Sequence, residues 1–160
     1  MESTPETVRV WRLVKTTYAA SAFDGEGAFR FGGRWNSRGQ RVVYTSGALS
    51  LAVLEILVHL DPSAYLPEMS AVAINLPMSE IKEVSFSTLN EITGGLPWGM
   101  TQTRQWGNDW IKQTETIALK VPSALVPNES NYLINPMHAA FEKCRIEAPC
   151  AFPIDARLML

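Results

Sequence analysis

The chain has 160 residues, 46% of them hydrophobic and 19% charged, which is enough apolar material for one domain with a core of its own. Its formal net charge is −2 and its pI is near 5.7, a balance that argues against nucleic acid as the main partner. No apolar run reaches the length of a membrane span, since the longest, 49–60, is broken by Ser50, Glu55 and His59.

The opening residues, MESTPETVRV, are acidic and polar and do not read as an export signal. Cys144 and Cys150 are therefore expected to be reduced thiols, and the protein to be cytoplasmic. Two cysteines and two histidines without a ligand spacing predict no metal site.

Residues 8–14 alternate and are rich in β-branched side chains, which predicts a first strand. Arg12 interrupts it, either as an edge-strand arginine facing water or as an anion contact in the same cleft as Arg34. Residues 15–31 show no period and predict a loop, with at most one helical turn near 18–23, placed to cover a site. Gly32 and Gly33 then lead into Arg34 and a polar turn over 36–39.

Residues 42–45, VVYT, predict a short strand, after which Ser46 offers an N-cap for a helix over 48–60 that stops at Asp61-Pro62. That helix is almost wholly aliphatic, which predicts burial on most sides. It nevertheless carries Glu55, with His59 one turn later on the same side. A buried carboxylate is costly unless something compensates it. Between Glu26 and Glu55 there is no acid but there are four arginines, Arg30, Arg34, Arg38 and Arg41. Arginine beside glycine lets a backbone approach a phosphate while a guanidinium holds it. The unit thus offers an anion site, the aromatic hydroxyl of Tyr44 and a buried acid. The same residues also fit a solvated turn, a core tyrosine and an internal ion pair.

Further along, 69–76 predicts a strand ending before Pro77, and 83–86 another short one. The breakers in 87–100 predict a loop. Residues 103–113 are helical by composition despite Gly107, with Trp106 and Trp110 one turn apart and expected to pack together. Strands are predicted over 116–121, closed by Pro122 and Ser123, and over 131–135, with a helical turn in 137–143 and closing strand segments at 145–147 and 152–155. The pattern is one α+β domain with more strand than helix.

Seven short motifs occur in order: Trp11-Arg12-Leu13, GGRWN from Gly32, VVYTS from Val42, LAVLEILVHL from Leu51, VPSALVP from Val121, NYLINP from Asn131 and FPIDARL from Phe152. Each is weak alone, but the ordered set resembles the RES domain, a family named for an Arg, a Glu and a Ser. The resemblance makes the chain, 1–160, a single RES domain with its core over about 8–158. It implies an α+β, ADP-ribosyltransferase-like fold with a split β-sheet core, flanking helices and NAD in the cleft. It also implies the toxin of a type II toxin–antitoxin pair, inhibited by an Xre-like antitoxin with a helix-turn-helix. A homodimer within that complex is one option, and direct contact with nucleic acid or membrane is not implied.

The implied activity is cleavage of the nicotinamide–ribose bond of NAD by hydrolysis or phosphorolysis, arresting growth. NAD is then substrate, with no separate cofactor. Mono-ADP-ribosyl transfer to a cellular protein is the alternative, and a non-catalytic nucleotide-binding module the third reading. Carried over by position, the family's functional residues fall on Arg12, Arg34, Tyr44, Glu55 and Ser123, with Asn131 a weaker candidate. Glu55, Arg34 and Tyr44 are then catalytic, and Arg12, Arg34, Tyr44, Ser123 and Asn131 bind NAD.

The chemistry of NAD suits these residue types. Arg12 and Arg34 would hold the pyrophosphate or orient the adjacent ribose. Tyr44 would stack on the cationic nicotinamide or its ribose. Glu55 would stabilise the oxocarbenium-like transition state, and nicotinamide leaves neutral, so one carboxylate suffices. Ser123 would bond the substrate, orient Glu55 or merely serve a turn. Asn131 and Asn135 would bind amide or ribose groups, or cap turns. Glu55 is expected to be held by Arg34, Arg12 or a ribose hydroxyl, and His59 and His138 to be structural.

Overall fold

The computed structural model describes residues 3–61, 63, 65–95 and 100–159. Eight strands form one mixed sheet: β1 (Thr7–Lys15), β2 (Val43–Ser46), β3 (Met69–Pro77), β4 (Ile81–Glu83), β5 (Ala118–Pro122), β6 (Ser130–Ile134), β7 (Arg145–Ile146) and β8 (Cys150–Ala151). Four α-helices flank it: α1 (Glu26–Phe31), α2 (Leu49–Leu57), α3 (Phe86–Thr93) and α4 (Met100–Gln113). The strand order is β4-β5-β6-β2-β1-β3-β7, with β8 also on β3, and only β4 and β5 run parallel.

The pairing is uneven, and the unevenness creates the site. Nine residue pairs join β1 to β3, and four join β2 to β6. A single pair, Trp11 with Ser46, joins β1 to β2. The sheet is therefore two half-sheets that touch at one point and diverge. Where the next ladder bond would fall, the Arg12 side chain substitutes for it: Nη1 donates to the Tyr44 carbonyl at 2.9 Å. β1 lies between β2 and β3, so Arg12 is not on an edge strand.

Three apolar clusters fill the space on and between the two halves. Along β6, Tyr132 and Ile134 enter one cluster and Leu133 the other, the two-residue alternation of a strand covered on both faces. The first cluster joins Val10, Val72 and Ile74 to Phe23 of the segment after β1. The second lies under α3 and α4, around Trp35, Leu89, Trp110, Leu119 and Val121. The third packs Ala52 and Val53 of α2 on Leu13, Met69 and Ala71.

The sequence expectations differ from this structure in several places. The loop expected over 15–31 holds a 3-10 turn, Thr16–Ser21, and helix α1. The short strand expected over 83–86 ends at Glu83, and Ser85 instead caps α3, its Oγ accepting from the Thr88 N–H at 3.1 Å. Gly94, read as part of a loop, stops α3 in the left-handed conformation, φ 64°. Residues 96–99 of that expected loop, and Pro62 of the expected α2 stop, lie outside the described residues.

α2 is capped at Ala48, not Ser46, which ends β2. It is also not enveloped, since Leu54 and Val58 are 43% and 56% exposed while Leu51, Ala52 and Val53 are buried. The last strand segment is Cys150–Ala151, not 152–155. Trp106 meets Trp35 edge to face, centroids 6.3 Å apart, while buried Trp110 donates its indole N–H to Thr116 Oγ1 at 3.0 Å.

Gly107, in mid-helix, is the close-approach point of α4, because a Cβ there would collide with the Trp35 carbonyl oxygen. Gly107→Ala should therefore cost about 2–3 kcal/mol through overpacking, the upper end of the usual range because the obstacle is backbone. That outweighs the helix-propensity gain of about 1 kcal/mol. Thermal melting should show a lower Tm, whereas a rise would mean that α4 can move off the Trp35 backbone freely.

Candidate active site

The two half-sheets open into a cavity of about 500 Å³. Arg12, Arg34, Tyr44, Glu55 and Asn131 all line it, although they come from β1, the loop before β2, β2 itself, α2 and β6. Ser123 stands directly behind, with no exposed surface. Arg38 is exposed on its turn and is not part of the lining.

Glu55 is fixed through one oxygen. Its Oε1 accepts from Ser123 Oγ at 2.9 Å and from Asn131 Nδ2 at 2.8 Å. Both donors are themselves oriented. Ser123 Oγ accepts the N–H groups of Leu125 and Val126, each at 3.1 Å, which turns its proton toward Glu55. Asn131 Oδ1 accepts from Ser46 Oγ at 2.8 Å, which fixes its amide with the NH2 toward Glu55. The expected arginine clamp is thus corrected: the groups holding Glu55 are a hydroxyl and an amide, and neither brings positive charge. The guanidinium of Arg12 goes to the Tyr44 carbonyl instead.

Arg12 is otherwise poorly matched. Its Nε is buried without a hydrogen-bond partner in the protein. Burial pushes the guanidinium below its ordinary pKa, with the charge of Asp24 opposing. It stays protonated, because an arginine starts so high. A buried N–H without an acceptor is rare and costly, and sites for ligands are where such groups are found.

Tyr44 gives the cleft its ring and keeps its hydroxyl for the loop. The hydroxyl donates to Asn36 Oδ1 at 2.7 Å and accepts from the Trp35 N–H at 3.0 Å. Burial pushes the phenol up to about 12, against the Trp35 bond and the charges of Arg104 and Arg34. A Cβ on Gly33 would stand 2.5 Å from that hydroxyl, so the glycine makes room for the tyrosine. Asn36, fully buried, donates to the carbonyls of Ala28, Ser37 and Gln40 at 2.9, 3.1 and 3.1 Å. Tyr44 and Asn36 together shape the loop that presents Arg34.

Sequence reasoning missed several participants. Asn36 ends the GGRWN motif, and its position between a tryptophan and a turn is the available signal. Ser46, expected as a helix cap, bonds Asn131 instead. Thr103 and Arg104 of α4 bond the carbonyls of Arg34 and Gly33 at 2.6 and 2.9 Å, and no local pattern announces that. His59, read as structural, is exposed at the cavity and one turn beyond Glu55. His138 is structural, with Nε2 2.9 Å from the Thr114 carbonyl and Nδ1 accepting the Ala140 N–H at 3.0 Å. Asn135 caps a turn through the Met137 N–H at 3.0 Å and is not in the lining. Among the described residues no group of His, Cys, Asp or Glu is placed to hold a metal ion, and no helix is long and apolar enough to cross a membrane.

A split sheet, flanking helices and a cleft at the split define an α+β domain of the ADP-ribosyltransferase-like class. The fold superposes on a chain of the crystal structure of the M. tuberculosis MbcT–MbcA toxin–antitoxin complex with a TM-score of 0.73 and 15% identity, covering 97% of this chain and 88% of that one. The RES domain model matches residues 9–155, and the chain belongs to the RES domain family. It is 36% identical to Toxin Res of Photorhabdus laumondii, covering 94% of this chain and 96% of the relative. It is 35% identical to Toxin Res of Yersinia enterocolitica, covering 93% and 98%. It is also 34% identical to the Prs ADP-ribosylating toxin of a Sphingobium strain, covering 82% and 84%.

The bonds to Glu55 predict how it tolerates replacement. Glu55→Gln keeps an oxygen for both donors and should melt close to the parent. Glu55→Leu leaves the Ser123 and Asn131 donors unpaired in a partly buried place, at a cost of about 1–3 kcal/mol. Melting curves of the two variants check this, and a Gln variant as unstable as the Leu variant would contradict the hydrogen-bond assignment.

Proposed function

We propose that this RES-family protein is the toxin of a toxin–antitoxin pair and that it consumes NAD by breaking the nicotinamide–ribose bond. The observation that carries this reading is Glu55, a carboxylate in the cleft held from behind by two neutral donors, with Arg12 and Arg34 in the same lining. As the C1′–N bond breaks, its electron pair goes to nicotinamide, which leaves neutral, and positive charge develops on the ribose. A preorganised carboxylate stabilises that charge without any reorganisation. Water or phosphate then adds at C1′ and loses a proton. The groups proposed for the pyrophosphate are the guanidinium groups of Arg34 and Arg12, both in the cleft lining. Tyr44 offers a ring face to the nicotinamide, and its committed hydroxyl takes no part in proton transfer. Ser123 and Asn131 act through Glu55.

The proposed partner is an antitoxin, supported by the names of the Toxin Res relatives and by the complex that contains the structural neighbour; its Xre-like helix-turn-helix is proposed from the family resemblance alone. NAD is a dissolved cellular pool, so the proposed place of action is the cytoplasm. A second reading, ADP-ribosyl transfer to a protein, is favoured by one feature: the mouth is open and partly apolar, with Val58, Met100 and Leu125 exposed around it. The name of the Sphingobium relative points the same way.

Incubating purified protein with NAD, with and without phosphate or a lysate as acceptor, separates these readings. Nicotinamide should be released without an acceptor. Glu55→Gln should still bind NAD but turn over roughly 100-fold more slowly, as when a preorganised electrostatic group is removed. Arg34→Ala should lose most activity, and Arg38→Ala little. Absence of nicotinamide release from the parent protein under every condition would refute the proposal, and release only with an acceptor would select the transferase.

A further inference from the structure

Helix α4 meets the loop carrying Arg34 through five residues within 103–108, one of them Trp106, which packs edge to face on Trp35. Thr103 Oγ1 donates to the Arg34 carbonyl at 2.6 Å, and Arg104 Nε donates to the Gly33 carbonyl at 2.9 Å. Gly107 lies against the Trp35 carbonyl with no room for a Cβ. Asn108 accepts the Ser37 N–H at 3.0 Å and donates to Ser37 Oγ at 2.8 Å. None of these five helix residues is in the described lining of the cleft.

The first two bonds are special in where they land. The Gly33 carbonyl belongs to the peptide plane before the Arg34 Cα, and the Arg34 carbonyl to the plane after it. A residue has only two soft backbone dihedrals, and both of those of Arg34 lie between these planes. Holding both planes therefore fixes the direction in which the Arg34 side chain leaves the backbone. One bond is charge-assisted and the other comes from a fully buried hydroxyl, so both are well suited to hold. Attachment of α4 to the core does not itself require them, since buried Trp110 already fastens the helix there.

We infer that Thr103 and Arg104 are positioning residues for Arg34, and that α4 is the rigid seat that aims this guanidinium into the cleft. The inference deepens the NAD-cleaving reading and relies on it only for its activity readout.

The test combines nicotinamide release, melting and amide hydrogen exchange over 33–37. Thr103→Val keeps shape but removes the donor, Thr103→Ser keeps the donor, and Arg104→Met removes the other bond at a half-buried position. Thr103→Val and Arg104→Met should lower kcat/KM by roughly tenfold or more, as misplacement of a substrate-orienting group does. Exchange should rise over 33–37 and not in the sheet, and Thr103→Ser should restore both. In an Arg34→Ala background, adding Thr103→Val or Arg104→Met should cost nothing further, because the effect runs through Arg34. Equal losses with and without Arg34 would overturn the inference, as would unchanged exchange over 33–37. If Thr103→Val fails to fold, Arg104→Met carries the same comparisons. If the parent protein releases no nicotinamide, the NAD reading fails, and the exchange measurement alone decides the seat: a rise confined to 33–37 supports it, and none overturns it.

Discussion

A single backbone pairing, Trp11 with Ser46, joins the two halves of the sheet, and the site depends on it. Because the strands touch only there, they diverge and leave a cleft where a continuous sheet would have had a filled ladder. The same joint also reaches the catalytic candidate. Ser46 pairs with Trp11 on one side and with Asn131 on the other, and its hydroxyl fixes the Asn131 amide that bonds Glu55. The point that opens the sheet is thus two hydrogen bonds away from the carboxylate. Arg12 closes the remaining gap with a side chain where a main-chain bond is missing.

The electrostatics of the cleft differ from those of the whole molecule. The chain carries a net −2, yet Glu55 is the one acid in the described lining of the cavity, where Arg12 and Arg34 also stand. Tyr44 adds no negative charge, because burial keeps its phenol protonated. The acids that pair with arginines are elsewhere: Glu26 with Arg30 and Arg41, Glu147 with Arg9, Asp155 with Arg157. Those pairs are exposed and contribute little to stability. A locally positive cleft on an acidic protein favours a small anionic ligand over a long polyanion, whose neighbouring phosphates would meet the acidic surface.

Residue types announced the site better than residue order announced the fold around it. The stretch 32–60 showed arginine beside glycine, a tyrosine and an acid in an apolar helix, and all three side chains share the cleft. Strands were legible because β-branched runs have few other uses, and β3 reads as a strand over nearly its full length. Short helices were not legible. α1 has six residues and leaves Phe29 and Phe31 exposed, so no apolar stripe marks it. α3 is stopped by Gly94 and followed by Gly95, and the same dipeptide serves a loop or a helix stop. Ser123, which the family resemblance offered as a residue orienting Glu55, does bond it; Ser123 and Asn131 lie 68 and 76 positions away, distances at which spacing alone carries no information.

The correction at Glu55 changes what the residue is good for. An arginine pair would have offset the cost of burying the acid, but it would also have neutralised much of the field the carboxylate projects into the cleft. A hydroxyl and an amide meet its hydrogen-bonding needs on one oxygen while leaving its full charge in place. Burial is only partial, since Glu55 borders the cavity, so the charge need not be cancelled for the fold to stand. Neutral donors therefore suit the role proposed for Glu55, which is to act on a positive charge that appears only in the transition state. Both donors are set by their own neighbours: two backbone amides of the β5–β6 connection, those of Leu125 and Val126, turn the serine proton, and Ser46 at the end of β2 sets the asparagine amide.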